Sequence, residues 1–566
     1  MFICYLLGAA LILFMGLVDA GDVRLIAKRS KPTAKRLPGL RHDPAQFLSF
    51  LETNTGKSGM PLSFAVEPPD YFANVPEAER PHHYNKSYYI YQCKNQSIPA
   101  ANMNAYMFQS EELLTALGLN IYDGSVWCMA MSLLGKADVC KNYLENVLVA
   151  HKTVQFPDIR GDAVCKGVME WGQCTDPTSA GVCGFCYGDA ASDSGRTLSI
   201  NNAYFFRMIS DYWAIQGTVD ARCPDLNQLW TWNDYKPVLG ENSWAQLLGP
   251  AQHAMIEHKW NAADISVTHP VFVLGVPFLQ ALQTMAVGST GAIYYAPRNT
   301  WYGFNKEAQN IGSTFSIENQ ASTLAGLEAL YYLIENGSGA VQSQFASYKP
   351  QIMQLITGLR KILAASWSGG SAADGAYFRQ GGTYDPKTQT LTWGQEGQPP
   401  FAVDCQTWVA SILGTRFVDS NFGPLAAYNL WQTVKARAGW TCPGGKFCGV
   451  GYTDATISGQ VFSGEWTFGA INWLEVMIAD GGYNSTIVQS LQADIASMYF
   501  GLESYLYTAT NQYTSVMYAN QRYFIPFGWY ANPLPAMSST GWAVMVGSGY
   551  NPFNVDHGKY TRSYNF

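Results

Sequence analysis

The sequence has few charged residues and, after its first twenty positions, no long apolar run. Charged side chains make up 14% of the 566 residues and hydrophobic ones 48%, a balance that excludes a disordered chain and a coiled coil. The net charge of -7 argues against nucleic acid or an anionic membrane as a partner. Because no later stretch reaches about 18 uninterrupted apolar residues, we expect no stable membrane insertion.

The motifs of several enzyme classes are also absent. The chain contains no Walker loop, dinucleotide fingerprint, G-x-S-x-G elbow or H-E-x-x-H helix. The run Cys183-Gly-Phe-Cys186 lacks the strand and helix pattern of a redox dithiol and the further ligands of a zinc site. We therefore predict neither a metal nor a cofactor.

The first 60 residues indicate export. Residues 5–18 form an apolar run too short to span a bilayer, and Val18-Asp19-Ala20 resembles a signal-peptide cleavage site. We predict a signal peptide over residues 1–20, with a short membrane anchor as the alternative. A basic, flexible leader or propeptide is predicted over 21–60, and a single catalytic domain over 61–566. The expected location is extracellular, with the lysosome, the vacuole and the cell surface as alternatives.

The cysteines and glycosylation triplets agree with an oxidising compartment. Eight of the 12 cysteines lie within residues 93–223, which predicts a disulfide-stapled region whose connectivity stays open. Cys442 and Cys448 enclose Pro-Gly-Gly-Lys-Phe, a turn whose ends can meet, so we predict a disulfide between them. Cys405 is expected to be a free thiol. The predicted N-glycosylation sites are Asn85, Asn95, Asn336 and Asn484.

From about residue 201 the chain alternates two kinds of helix-sized segment. One kind, such as 319–334, is apolar around its whole circumference, and the other, such as 350–365, has a single apolar stripe. The first kind predicts inner helices and the second outer helices. The inner helices are predicted at 243–256, 319–334, 405–414, 466–478 and near 535–547, the outer ones near 271–286 and at 350–365, 424–437 and 485–500, with 103–117 and 201–215 as candidates for two further hairpins.

Two stretches break this alternation. Residues 376–396 alternate in polarity and contain turn residues at Gly381-Gly382 and Asp385-Pro386, which predicts an inserted β-hairpin. Residues 523–535 contain three prolines and five aromatic residues, which predicts a rigid aromatic loop. Both are expected to wall a cleft.

A carboxylate stands at the start of four predicted inner helices. Such acids recur at one topological position, but helix dipoles also favour them there by about 0.3–1 kcal/mol. Neighbouring indoles and amides suit the faces and hydroxyls of sugars. The predicted catalytic residues are Glu241, Asp404, Glu318 and Glu465, and the predicted substrate-binding residues are Asn242, Trp244, Asn319, Gln406, Trp408, Trp466 and Trp529.

Glu241 and Asp404 form the preferred catalytic pair. Asp404 follows the apolar run Phe401-Ala402-Val403, whereas Glu241 follows a glycine and precedes polar residues. Settings of different polarity push two carboxyl pKa values apart, as an acid and base pair requires. The sequence leaves open which of the two donates the proton, and it holds Glu318 and Glu465 as acceptors of sugar hydroxyls or as substitutes.

The hairpin rhythm, the Trp-rich helix openings and their acids resemble the six-hairpin, or (α/α)6-toroid, glycosidase superfamily over residues 100–550. The resemblance implies an all-α helical toroid, here with a short β-hairpin insertion, whose inner-helix starts line the mouth where glycans are cleaved. We predict a glycoside hydrolase that acts on a neutral polysaccharide or oligosaccharide by paired carboxylates. A polysaccharide lyase, with His253 and His269 as candidate groups, and a non-catalytic glycan-binding protein are the alternatives. The oligomeric state stays open.

Overall fold

The computed structural model describes the chain in stretches separated by gaps. These stretches lie within one unit, Arg41–Phe566, and no helix in them is long and apolar enough to cross a membrane. The predicted signal peptide, Asn85, Asn95 and segment 103–117 lie outside them. The described residues are 43–55, 60–65, 118–153, 185–186, 199–200, 203–205, 208–210, 230–232, 238–288, 290–296, 301–302, 309–370, 375–394, 399–455, 460–521, 523–527, 529–531 and 533–561.

Helices make up most of the described structure. Helix α4 continues through a π-helical turn, Trp244–Leu248, into α5, so that the two form one element. In chain order the helices are α1 (Leu48–Thr53), α2 (Ile121–Leu133), α3 (Ala137–Thr153), α4 (Leu239–Ser243), α5 (Gly249–Glu257), α6 (Pro270–Met285), α7 (Ile317–Asn336), α8 (Gly339–Phe345), α9 (Lys349–Ala365), α10 (Val403–Leu413), α11 (Thr415–Phe422), α12 (Ala426–Ala438), α13 (Gly464–Asp480), α14 (Ser485–Gly501) and α15 (Met537–Gly547).

The strands are short and form small antiparallel sheets. In chain order they are β1 (Gly118–Asn120), β2 (Phe185–Cys186), β3 (Ser199–Ile200), β4 (Ala203–Tyr204), β5 (Met208–Ser210), β6 (Trp230–Trp232), β7 (Trp301–Tyr302), β8 (Gln309–Asn310), β9 (Thr314–Ser316), β10 (Gly381–Asp385), β11 (Thr390–Trp393), β12 (Gly439–Thr441), β13 (Phe447–Val450), β14 (Tyr507–Ala509), β15 (Thr514–Val516), β16 (Tyr523–Ile525) and β17 (Trp529–Ala531). The predicted hairpin is β10–β11, and β9 pairs with the other edge of β10.

Within the described residues, six inner helical elements form a closed ring. In chain order they are α2, α4–α5, α7, α10, α13 and α15; each packs on the next, and α15 packs on α2. Outer helices α3, α6, α9, α12 and α14 each follow an inner one and pack on it or on its neighbour. The short N-terminal segment Pro44–Thr53 packs on α15 and completes a sixth pair. The fold is an all-α toroid of six helical hairpins with small β insertions.

The ring confirms the predicted alternation of inner and outer helices. Leu327, Ile412 and Ile471 on inner helices are fully buried, while Lys361 on α9 is exposed. Inner helices touch neighbours on both flanks and the core of the ring, which is why their sequences are apolar all round.

Three expectations need correction. Residues 201–215 contain strands β4 and β5 rather than a helix, and the first inner helix is α2, which the sequence analysis missed. Residues 523–535 contain the hairpin β16–β17 rather than an irregular loop. The flexible leader cannot extend to residue 60, because Phe47, Phe50 and Leu51 are buried in the core.

The cysteine predictions agree with the structure where it describes them. Cys442 is bonded to Cys448 and connects the end of β12 to β13, while Cys405 is a buried free thiol. Within the Cys-rich region, Cys128 on α2 is bonded to Cys140 on α3. The side chains of the other six cysteines of that region lie outside the described part. Asn336 and Asn484 are exposed, so glycosylation at either stays a prediction.

In four inner helices, the side chain of the fourth residue forms hydrogen bonds with both the backbone N–H and the backbone C=O of one residue earlier in the chain. The fourth residue of α7, Gln320, accepts from Ile293 N at 2.7 Å and donates to Ile293 O at 2.9 Å. The corresponding residues are Gln406 of α10, Thr467 of α13 and Thr540 of α15, which pair in the same way with N and O of Phe378, Val450 and Val516. Each of these side chains satisfies one buried backbone N–H and C=O, so the weak repeat at the helix openings is partly structural.

We expect Leu327→Ala to destabilise the protein by about 2–5 kcal/mol, because Leu327 is fully buried in α7 and its loss leaves a cavity. Denaturant unfolding measures the change. Gln354→Ala, at an exposed position of α9, is the control and is expected to stay within about 0.5 kcal/mol of wild type. Equal effects in the two variants would show that α7 does not form the core.

Candidate active site

The starts of the six inner helical elements lie at one end of the ring, because each outer helix returns the chain to that end. The second residue of each helix belongs to this end, which we call the mouth. In chain order these residues are Tyr122, Gly240, Glu318, Asp404, Glu465 and Ser538. Three of the four predicted acids, Glu318, Asp404 and Glu465, therefore occupy the second position of an inner helix. Glu241 is one residue further along its helix, directly after Gly240.

Glu241 lies beside the first inner helix. Asn120, the residue before α2, donates from Nδ2 to Glu241 Oε1 at 3.0 Å and caps its own helix by accepting from Tyr122 N at 2.8 Å. Asn120 is buried, and its side-chain amide group bonds to both α2 and α4. This arrangement fixes the orientation of the Glu241 carboxyl group.

Gly240 brings α4 against the start of α7. Its N–H donates to Asn319 Oδ1, and a Cβ on it would lie 2.9 Å from Asn319 Cγ and 3.1 Å from Glu318 Oε2. Asn319 Nδ2 in turn donates to Glu318 Oε2 at 2.8 Å. Only glycine allows this approach, which sets Glu241 and Glu318 side by side.

Two hydrogen-bond chains of the same design reach the carboxyl groups of Glu318 and Glu465. Trp244 Nε1 donates to Ser322 Oγ at 3.0 Å, and Ser322 Oγ donates to Glu318 Oε1 at 2.6 Å. Trp542 Nε1 donates to Tyr122 Oη at 2.7 Å, and Tyr122 Oη donates to Glu465 Oε1 at 2.6 Å. Each chain uses an indole N–H to orient a hydroxyl proton towards a carboxyl oxygen.

Asp404 is the half-buried acid at the start of α10. Its Oδ1 accepts from the backbone N–H of Cys405 at 2.7 Å. Burial raises the pKa of the Asp404 carboxyl, and hydrogen bonds with Cys405 act against this shift. Burial and then the charge of Asp404 also raise the pKa of Glu318, to which Glu241 and Glu465 contribute further. Because Glu318 and Asp404 disfavour each other's ionisation, the two hold at least one proton near neutral pH.

Glu465 is the most deeply buried of the four acids, with 4% of its surface exposed. Burial raises its pKa to about 8, and the charges of Asp123 and Asp404 add to the shift, whereas hydrogen bonds from Tyr122 and Ser538 oppose it. The group is therefore mostly protonated at pH 7. The mutual electrostatic influence of these acids places all four in one site.

An aromatic cluster fills the ring beneath the acids. It consists of Tyr122, Trp244, Trp408, Trp542 and Phe553, whose ring centroids lie 5.0–6.4 Å apart in the contacting pairs. Trp244 and Trp408 are 1% and 4% exposed. The two indoles pack the ring and do not offer open faces to a sugar.

Several predicted substrate-binding residues have structural contacts instead. Asn242 is fully buried and pairs with Val238 O and Gln246 within its own helix. Gln406 is used on Phe378 and Ala402, and Trp466 is buried edge-on against Tyr452. Asn319 lies at the mouth, where it positions Glu318. Trp529 is on β17, and its side chain lies outside the described part.

The sequence analysis missed the residues that orient the acids. Asn120, Tyr122 and Asp123 open α2, a helix not recognised from the sequence, and Ser322 and Ser538 have no distinguishing pattern of their own. The signal available for Ser538 was its alignment with Glu465, since both hold the second position of an inner helix.

His253 and His269 lie away from the mouth. His253 is twelve residues beyond Glu241 along the α4–α5 element, about 18 Å at the helical rise per residue. His269 caps the start of α6 and stacks on His253 at 5.9 Å. Neither histidine can act on a substrate held by the four acids.

Among the comparisons with known proteins, only the one with solved structures found matches. No family model and no curated protein matches the chain. A D-mannose isomerase has a TM-score of 0.42 at 10% identity, covering 76% of this chain and 86% of its own. A structure titled "Glycosidase Wild Type" has a TM-score of 0.40 at 13% identity, and the match covers 85% of this chain and 97% of that one. The alpha-1,6-mannanase GH76A from Salegentibacter sp. HEL1_6 has a TM-score of 0.33 at 8% identity, and the match covers 59% of this chain and 80% of that one. Similarity this low says nothing about chemistry, so function has to follow from the residues at the mouth.

Proposed function

We propose that the protein is a glycoside hydrolase that cleaves a neutral polysaccharide or oligosaccharide with a pair of carboxyl groups. The supporting observation is that four carboxyl groups from four inner helices meet at one mouth, where burial raises the pKa of Asp404, Glu318 and Glu465. Hydrolysis of a glycosidic bond needs one protonated carboxyl group to donate to the leaving oxygen, and one ionised group to act as base or nucleophile. In this site, burial raises the pKa of carboxyl groups and so supplies the protonated group near neutral pH.

In this proposal Asp404 is the general acid and Glu241 the base or nucleophile. The raised pKa of Asp404 suits proton donation, and its interaction with Glu318 provides a neighbour with which the proton is shared. Glu241 accepts from the Asn120 amide, a bond that an ionised carboxylate accepts well. The proton leaves Asp404 for the glycosidic oxygen as the bond to the anomeric carbon breaks. With Glu241 as base, a water attacks the anomeric carbon and gives its proton to Glu241. With Glu241 as nucleophile, its carboxylate bonds to the anomeric carbon, and a water that gives its proton to Asp404 then cleaves this ester and frees Glu241.

Glu318 and Glu465 are assigned to substrate hydroxyls and to the electrostatics of the pair. Glu465 carries its proton near pH 7 and is held by Tyr122. The charge of Asp404 raises the pKa of Glu318, so the two groups titrate as a coupled pair. Both groups can accept or donate hydrogen bonds to sugar hydroxyls, depending on their protonation.

The chemistry of the mouth favours an uncharged glycan. The partners described for the acids are amide, hydroxyl and backbone N–H groups. A uronate would bring a further carboxylate to this group of acids and would be repelled. A lyase also needs a tyrosine or histidine base, but burial raises the pKa of Tyr122 well above its ordinary value, and His253 and His269 lie elsewhere. We therefore do not favour the lyase.

The test is a screen of the purified full-length protein on neutral glycans and uronate polymers, with product analysis. Release of reducing ends from a neutral glycan, without unsaturated uronic products, supports the proposal. NMR of the newly formed anomeric centre then distinguishes retention from inversion. Glycan binding without any cleavage would support the non-catalytic alternative, and unsaturated products from uronates would support the lyase.

A further inference from the structure

Three potential ligands of a metal ion, His253, Glu257 and His269, converge at the turn between α5 and α6, away from the mouth. Glu257 Oε2 lies 3.5 Å from His253 Nε2, 3.8 Å from His258 Nε2 and 3.6 Å from His269 Nε2. The ligand atoms of His253, Glu257 and His269 all lie within 4.8 Å of one another. Two imidazoles and a carboxylate therefore surround one small volume, and His258 approaches only the Glu257 side of it.

These distances suit a tetrahedral transition-metal ion. A zinc ion with bonds of about 2.0–2.1 Å to nitrogen and oxygen separates its ligand atoms by about 3.3 Å. The three distances from Glu257 Oε2 exceed this value by only a few tenths of an ångström, a difference that small rotations of the side chains remove. Imidazole and carboxylate are ligands that zinc accepts in proteins.

His253 provides a second, independent observation. Its ring is fully buried and its Nε2 makes no hydrogen bond in the described structure. Its Nδ1 lies 3.0 Å from Ser132 Oγ, whose own proton is donated to Cys128 O at 2.8 Å. With Ser132 Oγ donating its proton to Cys128 O, Oγ accepts the proton of His253 Nδ1, and the lone pair of Nε2 is then directed at Glu257. Metal-binding histidines are oriented by this kind of outer hydrogen bond.

Local structure brings the four residues together. His253 and Glu257 are four residues apart on α5 and share one face of the helix, and His258 is its C-cap. Lys259 and Trp260 follow with positive φ angles of 50° and 68°, which turn the chain back so that His269 caps α6.

We propose that His253, Glu257 and His269 form a zinc site that fastens the α5–α6 turn, with water as the fourth ligand. This site departs from the sequence expectation of no metal and does not depend on the proposed hydrolase activity. Cys128 and Cys140 also lie close to His253, but they are bonded to each other and are not ligands. Lys141 on α3 acts electrostatically on His253 and His269 and weakens the attraction for a cation.

His269 is the weakest of the three protein ligands. In the described structure its Nδ1 accepts from Val271 N at 3.2 Å and so caps α6. Coordination through Nε2 moves the ring proton to Nδ1 and breaks this cap. We therefore expect loss of His269 to reduce zinc affinity less than loss of His253, which enters the site with its Nδ1 proton already placed.

The experiment uses the full-length protein, stripped with a chelator and titrated with Zn²⁺ against a chromogenic competitor. We expect one zinc per chain and a thermal unfolding midpoint that rises with zinc concentration. Co²⁺ added in place of Zn²⁺ should give the intense visible absorption of four-coordinate cobalt. Stoichiometric uptake without any loss in the variants below would place the metal elsewhere and overturn the proposal, as would no uptake at all.

Three variants and one control locate the site. His253→Ala and Glu257→Gln should each lower zinc affinity by at least about tenfold. Ser132→Ala removes the hydroxyl that contacts His253 Nδ1 and Cys128 O, but no zinc ligand, and should lower zinc affinity about 10–100-fold. Asp264→Asn changes an exposed acid of the same turn and should leave affinity unchanged. If a variant fails to fold without metal, circular dichroism at saturating Zn²⁺ shows whether the metal restores it.

Discussion

Glu241→Gln and Asp404→Asn should each lower turnover by at least about 10²-fold on a glycan that the wild type cleaves. This is the scale of one general acid–base contribution. Both changes keep the shape of the side chain, and the amide can still occupy the hydrogen-bonded positions next to Asn120 and Cys405. Steady-state kinetics measures the loss, and glycan binding should persist because only proton transfer or attack is removed.

Glu465→Gln is the matched control for this pair. It is also an acid at the start of an inner helix, and the amide mimics the protonated form that burial favours at pH 7. We expect its turnover to stay within about tenfold of wild type. Near-normal turnover in both Glu241→Gln and Asp404→Asn would end their assignment. A large loss in Glu465→Gln alone would transfer the acid role to Glu465.

The protein should lose stability as the pH rises from about 5 to 8, and Glu465→Gln should remove the part of that loss that Glu465 causes, while Glu318 and Asp404, whose pKa values burial also raises, cause the rest. The folded pKa of Glu465 is about 8 against 4.5 for the free side chain. The folded state therefore holds a proton that the unfolded state has released between these values, and unfolding becomes easier as pH rises through this window. A difference of 3–4 pKa units corresponds to an effect on the order of 4 kcal/mol above pH 8.

Chemical denaturation at a series of pH values measures this effect. Glu465→Gln should be more stable than wild type at pH 8 and approach it near pH 4.5. Glu335→Gln, an exposed substitution on α7, serves as the control and should stay within about 0.5 kcal/mol of wild type throughout. An unchanged pH slope in Glu465→Gln would mean that burial does not hold a proton on this group.

The hairpin architecture could be predicted because inner and outer helices carry different physical patterns. A segment such as 319–334 is apolar on all faces, since it contacts neighbours on both flanks, and 350–365 is apolar on one. Helix α2 was not recognised from the sequence, because a helix that is buried on all sides has no periodicity that separates it from other apolar segments. Its recognition depends on finding α15 and the α4–α5 element as partners, which the sequence does not display.

The acids at the mouth could be predicted, but the roles of their neighbours could not. Gln320 and Gln406 each serve a backbone pair, and no local pattern distinguishes such an amide from one that binds a sugar. Trp244 and Trp408 stand next to acids in sequence but point into the ring. Tyr122 holds Glu465 from 343 residues away, a contact set by closure of the ring alone.

That closure also orders events during synthesis. The hairpins emerge from the ribosome one after another, but the bond from Trp542 to Tyr122 joins residues 420 positions apart. Contacts so distant carry a large loop-closure entropy and form slowly. Until α15 is released, the nascent chain is an open arc with two apolar edges exposed, a species that attracts chaperones and other unfinished chains. The hydroxyl that orients Glu465 is fixed only when these edges meet, so the arrangement of acids at the mouth is completed only when α15 packs on α2.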